Sequence, residues 1–108
     1  MTRVALLALL MMTACAKREA LILFDGIDFR TKTSTTRADR HAFATEVRAA
    51  GQNVAAAQKA GRYSATVYCA HTFGSSEIDW SEASAAAAEA IGLTAEGSMI
   101  LHGRCAAR

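Results

Sequence analysis

The first apolar stretch of the chain is short and flanked by basic residues. Residues 4–12 are all apolar. Arg3 precedes this stretch, and the next basic residues after it are Lys17 and Arg18. A helix needs roughly 20 apolar residues to cross a bilayer core, whereas the apolar region of a signal peptide needs only about 7 to 15. The pattern therefore predicts a targeting segment and not an element of the folded domain.

Residues 20–32 have the alternation of a half-buried strand. The apolar members fall on one face and the polar members on the other: Leu21, Leu23, Ile27 and Phe29 against Asp28, Arg30 and Lys32. Asp25-Gly26 interrupts the pattern, and we expect a bulge there, with a two-residue hairpin turn as the alternative. Residues 31–37 are polar, rich in Thr and Ser and without periodicity, which predicts a loop or a hairpin end.

Residues 39–50 fit two patterns. Phe43, Thr45 and Val47 alternate as in a strand, whereas Phe43, Val47, Ala50 and Val54 also form a helical stripe. We favour a strand that pairs with the first one, because aromatic and β-branched residues alternate here. The following residues, 51–53, then supply a turn and a helix cap.

The main helix is predicted over residues 54–73, with Asn53 as its N-cap and Gly74 as its end. One face of this helix gathers mostly small residues at helical spacing. That face contains Gly61, Ala65, Tyr68, Cys69 and Thr72. Gly61 costs about 1 kcal/mol inside a helix but permits a close approach to a sheet.

The remaining segments predict two more strands and one short helix. We expect a strand over residues 76–80 with Ile78 and Trp80 facing the core, and a closing strand over residues 98–105. Residues 81–91 predict a helix that begins near a capping box formed by Asp79 and Glu82 and ends at Gly92. The pattern as a whole predicts an α+β fold: a two-layer domain with one main helix packed on an antiparallel sheet of three to four strands.

The residues that end the first apolar stretch form a processing site. Met12-Thr13-Ala14-Cys15 resembles the lipobox of bacterial lipoproteins, with Met12 where that family usually has Leu. The resemblance implies that residues 1–14 are a signal peptide and that Cys15 receives a diacylglyceryl group, so that it carries two or three acyl chains in total. It also implies that residues 15–108 form one small envelope domain behind a short tether, 15–19. As an alternative, an ordinary signal peptidase cleaves after Ala16 and removes Cys15.

The same resemblance implies a location in the cell envelope. Ala16 stands where the inner-membrane retention signal of some Gram-negative lipoproteins has Asp. We therefore expect the outer membrane, with the domain facing the periplasm and the bilayer as its first partner through acylated Cys15. The domain itself loosely resembles small, uncharacterised envelope lipoproteins, from which no catalytic residue carries over.

The chain has three cysteines, and lipidation of Cys15 leaves Cys69 and Cys105 as a pair. An oxidising compartment favours a disulfide between them, 36 residues apart, while two buried free thiols are the alternative. A second alternative adds His71 and His102 to the two cysteines as a zinc or copper site. Residues 69 and 71 point in different directions on a helix, as do residues 102 and 105 on a strand, so this set is disfavoured.

Charge and motifs decide which classes of function we expect. Residues 15–108 hold 11 basic against 10 acidic side chains, scattered along the chain, so we expect no nucleic-acid partner. We expect no cofactor and no enzyme. A catalytic role would need Cys69 as the nucleophile and His71 as its base, but Cys69 lies near a helix C-terminus, where the dipole disfavours the thiolate. The sequence favours a membrane-anchored binding or structural module for an envelope protein or a cell-wall partner. The alternative is a secreted or periplasmic carrier of a small ligand or metal, which would favour an enclosed pocket lined by Tyr63, Tyr68 or Trp80.

Overall fold

The computed structural model describes residues 22–106, which form a four-stranded sheet, one long helix and two short helices. The elements follow in the order β1 (Thr31–Thr35), β2 (Ala42–Val47), α1 (Val54–Phe73), β3 (Ile78–Trp80), α2 (Glu82–Ala85), α3 (Ala88–Ile91) and β4 (Met99–Cys105). A 3-10 turn, Ala50–Gln52, connects β2 to α1. Within these residues, no helix is both long enough and apolar enough to cross a membrane.

The sheet has the strand order β1-β2-β4-β3, and every neighbouring pair is antiparallel. Thr45 at the centre of β2 lies opposite Thr33 on one side and Leu101 on the other. Trp80 of β3 lies opposite Gly103, so the short third strand covers only the last part of β4. The predicted fold class is confirmed: one main helix packs on an antiparallel sheet.

Helix α1 begins and ends at the predicted residues because local capping fixes both ends. Asn53 has an extended backbone, and its side-chain oxygen accepts a hydrogen bond of 3.1 Å from the N–H of Ala56. Gly74 takes a left-handed conformation, φ 74°, and its N–H donates to the carbonyl of Ala70. The buried residues of α1 are all small: Ala56, Ala57, Ala60, Gly61, Ala65 and Cys69.

The core lies between this face of α1 and one face of the sheet. β2 buries Phe43, Thr45 and Val47 and turns its alternate residues to the other side, as the predicted strand requires. β4 likewise buries Met99 and Leu101. One buried cluster surrounds Val47, Met99 and Leu101, and a second surrounds Phe43 and the two cysteines.

The first predicted strand is wrong in its position and in its bulge. Phe24 and Ile27 exchange backbone hydrogen bonds of 3.0 Å around Asp25-Gly26, whose φ angles are 51° and 78°. Positive φ at both central positions makes a two-residue hairpin turn, the alternative to the bulge. Residues 20 and 21 of that prediction lie outside the described part of the chain.

Strand β1 instead occupies residues that the sequence predicted as a loop. Its only half-buried residue, Thr33, forms hydroxyl hydrogen bonds with Thr45 of β2 at 2.8 Å and with Ser64 of α1 at 3.2 Å. The β-branched threonines of this segment suit a pleated edge strand without supplying apolar alternation. Segment 31–35 is therefore a strand because it pairs with β2, and not because of its own sequence pattern.

The predicted second helix is broken into α2 and α3. Its N-cap is Ser81 and not Asp79, because the Ser81 hydroxyl accepts from the N–H of Ser84 at 3.2 Å. The side chain of Gln58 donates to the carbonyl oxygen of Ala86 at 2.8 Å, and Ala86 itself is extended. The break between the two short helices therefore coincides with a contact from α1 that the local sequence does not reveal.

Gly61 sets the distance between α1 and the sheet. A Cβ atom at this position would stand 2.6 Å from Cδ1 of Leu101 and 2.9 Å from Cγ2 of Val47. Both distances are below normal van der Waals contact, so any side chain here must displace the helix or the two core residues. The helix penalty of glycine is offset by this close packing.

We predict that Gly61→Ala lowers the free energy of unfolding by about 1–3 kcal/mol, because overpacking outweighs the gain in helix propensity. Urea unfolding followed by circular dichroism measures the change. Gly51→Ala is the matched control, since its Cβ would lie at an ordinary 3.5 Å from Leu93 Cδ1. A Gly61→Ala protein as stable as the wild type would contradict the close approach.

Candidate functional site

The predicted lipidation site, Cys15, lies outside the described residues, as do the signal peptide, 1–14, and the tether, 15–19. The described domain begins at Ile22, seven positions after Cys15. The acylation of Cys15 therefore stays a prediction. The candidate site within the described chain consists of the cysteine pair, the sheet face opposite α1 and the loop between β1 and β2.

Cys69 and Cys105 are at disulfide distance. Their sulfur atoms are 1.99 Å apart and their Cα atoms 5.4 Å apart, and the pair joins the second-last turn of α1 to the last residue of β4. Both residues are buried, at 0% and 2% exposure. The pairing predicted from cysteine number is thus the one that the fold brings together.

Aromatic rings enclose this cysteine pair. Phe43 meets Tyr68 and Trp80 edge-on, with ring centroids 6.2 Å and 5.6 Å apart. Phe73 meets Tyr68 in the same way, and His41 stacks on Phe73 at 4.0 Å. Such packing keeps water away from the sulfur atoms, which is typical of a structural cysteine pair and not of a reactive one.

The two histidines of the alternative metal set lie apart from the cysteines. His71 is exposed on α1 while Cys69, two positions earlier, is buried against the sheet. His102 is exposed on the sheet face opposite α1, whereas Cys105 faces the helix. Across residues 22–106, no group of three or more His, Cys, Asp or Glu side chains is placed to hold a metal ion. The structure therefore does not bring Cys69, His71, His102 and Cys105 together as ligands.

The face of the sheet opposite α1 is the first candidate binding surface. The strand alternation points Ala42 and Ala44 of β2 and His102 of β4 away from the helix. Two alanines in the middle strand leave a shallow hollow, because their side chains do not fill the space between their larger neighbours. The open groove there is lined by Ser34, Thr35, Thr36, Ala42, Phe43, Ala44 and His102.

The loop between β1 and β2 is the second candidate surface, and it is well ordered by hydrogen bonds. The Thr35 hydroxyl bonds the carbonyl of Ala42 at 2.9 Å, and the Tyr68 hydroxyl donates to the carbonyl of Arg40 at 2.7 Å. Asp39 forms an ion pair with Arg104 of β4. This arrangement leaves Arg37 and Arg40 beside an open groove that also borders Tyr68.

The three aromatic residues predicted to line an enclosed ligand pocket lie in three different surroundings. Tyr68 borders the open groove beside Arg40. Trp80 packs against Phe43, with the guanidinium of Arg62 6.0 Å from its ring. Tyr63 is exposed on α1 and contacts the ring of Phe24. Within residues 22–106, the three side chains thus have different surroundings.

Sequence reasoning missed the Asp39–Arg104 pair and the contact between Tyr68 and Arg40. The members of each pair are 65 and 28 residues apart, and no local pattern marks them. The cysteine pair could be predicted from the sequence because the chain has few cysteines and their bonding chemistry is specific. No family model, curated protein or solved structure shows significant similarity to this chain.

We predict that replacing both cysteines, Cys69→Ala with Cys105→Ala, lowers the free energy of unfolding by roughly 3–4 kcal/mol, because a 36-residue loop is no longer closed in the unfolded chain. Thermal unfolding with and without reductant measures the change. Reductant should lower the Tm of the wild type and leave the double variant unchanged. A wild-type Tm insensitive to reductant would contradict the bond.

The hydrogen bond from Arg104 holds the pKa of the Asp39 carboxyl below its usual range. Because the folded-state pKa lies below the unfolded one, the stabilisation is present above the unfolded pKa and is lost as the pH falls through the folded pKa. We predict that Arg104→Gln raises the pKa of Asp39 towards that of an exposed aspartate. An NMR titration of the carboxyl carbon measures it, and an unchanged pKa would contradict the ion pair.

Proposed function

We propose that this chain is a membrane-anchored lipoprotein of the bacterial cell envelope, acylated at Cys15, whose domain binds or braces an envelope protein or a cell-wall partner. The observation that carries the proposal is the sequence Met12-Thr13-Ala14-Cys15 at the end of a nine-residue apolar stretch. The stretch is of signal-peptide length and too short to span a bilayer. The acyl chains would then provide the membrane attachment.

The geometry of the other two cysteines supports this assignment. Cys69 and Cys105 are at disulfide distance inside an aromatic cluster, which leaves Cys15 as the third cysteine of the chain. Disulfides persist in oxidising compartments such as the periplasm and are rare in the cytosol. A chain exported and then held at the membrane by Cys15 accounts for both uses of cysteine.

The exposed surfaces favour a binding or structural module over a carrier. The grooves beside His102 and beside Arg40 are open, and each lies on the outside of the sheet or of its connecting loop. Such surfaces suit a macromolecular partner, whereas carriers of small ligands usually bury most of the ligand in a concave pocket. As part of the proposal, we assign the partner to the sheet face that carries Ala42, Ala44 and His102.

Labelling with radioactive palmitate tests the anchor. We predict label on the wild type and none on Cys15→Ser, together with a mature chain that begins at Cys15 and carries a diacylglyceryl group. The double variant Cys69→Ala, Cys105→Ala is the matched control and keeps the label, because its cysteine losses lie in the domain. An unlabelled wild type whose N-terminus is Lys17 would contradict the proposal.

Photocrosslinking tests the partner surface. A photocrosslinking residue replaces His102 in the full chain, which is expressed in cells that acylate it. Irradiation of whole cells should then join the lipoprotein to one envelope component. The control position is Ala55, which is exposed on the first turn of α1. Adducts at position 55 and none at position 102 would overturn the assignment of the sheet face.

A further inference from the structure

Four large apolar side chains are exposed in one region of the domain. Ile22, Leu23, Tyr63 and Val67 are each between 43% and 50% exposed. Ile22 and Leu23 directly precede Phe24, whose ring centroid is 6.0 Å from that of Tyr63. Tyr63 and Val67 are one helical turn apart on α1, so their side chains are neighbours. We refer to these four residues as the apolar strip.

The apolar strip lies on the outer side of α1. Gly61 and Ala65 are buried against the sheet, and Tyr63 and Val67 each follow one of them by two positions. Two positions rotate a helix by about 200°, so Tyr63 and Val67 point away from the sheet. They continue the flank of α1 on which Ala56 and Ala60 are buried, beside the hairpin that contains Phe24 and Ile27. Tyr63 and Val67 therefore do not share a side of the domain with the His102 groove, which lies on the sheet face opposite α1.

The length of chain before Ile22 indicates what covers the strip. Cys15 is seven residues from Ile22, and seven extended residues reach at most about 25 Å. Acyl chains on Cys15 would thus hold the bilayer surface within that distance of the strip. Ile22 and Leu23 are also the described residues that are nearest in sequence to the anchor.

The side-chain types of the strip suit the same occupant. Tyrosine and aliphatic side chains are typical of the boundary between lipid headgroups and acyl chains. The exposed Lys59 precedes Tyr63 by one helical turn. Net charge adds nothing to this match, because Lys17, Arg18 and Lys59 are balanced by Glu19, Asp25 and Asp28.

We propose that the apolar strip rests on the bilayer that holds acylated Cys15, so that α1 lies against the membrane and the open face of the sheet points away from it. This orientation rests on the proposed function, because it needs the acyl anchor. It keeps the groove beside His102 accessible to a partner while the strip fixes the domain at the lipid surface.

Paramagnetic relaxation in lipid nanodiscs tests the orientation. The full lipidated protein is placed in nanodiscs of phosphatidylethanolamine with a minority of phosphatidylglycerol and a headgroup-nitroxide lipid. We expect relaxation enhancements at the amides of Ile22, Leu23, Tyr63 and Val67 to be several-fold larger than those at Ala44 and His102. Equal enhancements, or larger ones at Ala44 and His102, would overturn the proposal.

Variants separate the strip from the anchor. Tyr63→Ser with Val67→Ser should reduce the enhancement at Ile22 and Leu23 several-fold, while the acyl chains keep the protein in the nanodisc. Leu93→Ser is the matched control, because Leu93 is equally exposed but outside the strip, and it should change nothing. A folded strip variant with unchanged enhancements would overturn the strip alone. A wild-type chain that carries no acyl group and does not enter the nanodisc would overturn the anchor and this orientation with it.

Discussion

The bond between Cys69 and Cys105 is the constraint on which the rest of the domain depends. Helix α1 faces the sheet with alanines and a glycine, and each such residue buries little apolar area. The large side chains that are fully buried come mostly from the sheet, among them Met99, Leu101 and Val47. In a domain this small, a covalent link between the helix and the last strand supplements a modest core.

The small residues of α1 and the bond work together. Gly61 lets the helix backbone approach Val47 and Leu101, and Ala65 continues the same close face toward Cys69. At that end of the helix, Phe43, Tyr68 and Trp80 fill the space around the sulfur atoms. The result is a domain held tightly at its helix-to-sheet contact.

Features with local causes could be predicted from the sequence. The bounds of α1 follow from Asn53 and Gly74, whose capping geometry depends on immediate neighbours. Strands β2 and β4 follow from alternation, since their buried residues repeat at every second position. The cysteine pair was predicted from the number of cysteines and from the oxidising compartment that the lipobox resemblance implies.

Features with distant causes could not be predicted. Strand β1 is polar throughout, and only its pairing with β2 and the hydroxyl contacts of Thr33 distinguish it from a loop. The break between α2 and α3 coincides with a contact from Gln58, 28 residues away. Arg104 meets Asp39 for the same kind of reason, because the pairing of β2 with β4 puts Arg104 opposite Ala42, three residues after Asp39.

The proposed function rests on a division of the three cysteines, with Cys15 assigned to the membrane anchor and Cys69 and Cys105 to the fold. Cys15 has a membrane role only if the chain is exported, and export is also what allows Cys69 and Cys105 to be oxidised. The most direct measurement is thiol alkylation and mass spectrometry of the protein extracted from the cell envelope without reductant. The account predicts that Cys69 and Cys105 remain unmodified and appear as one cross-linked peptide pair. Alkylated thiols at both positions would contradict it.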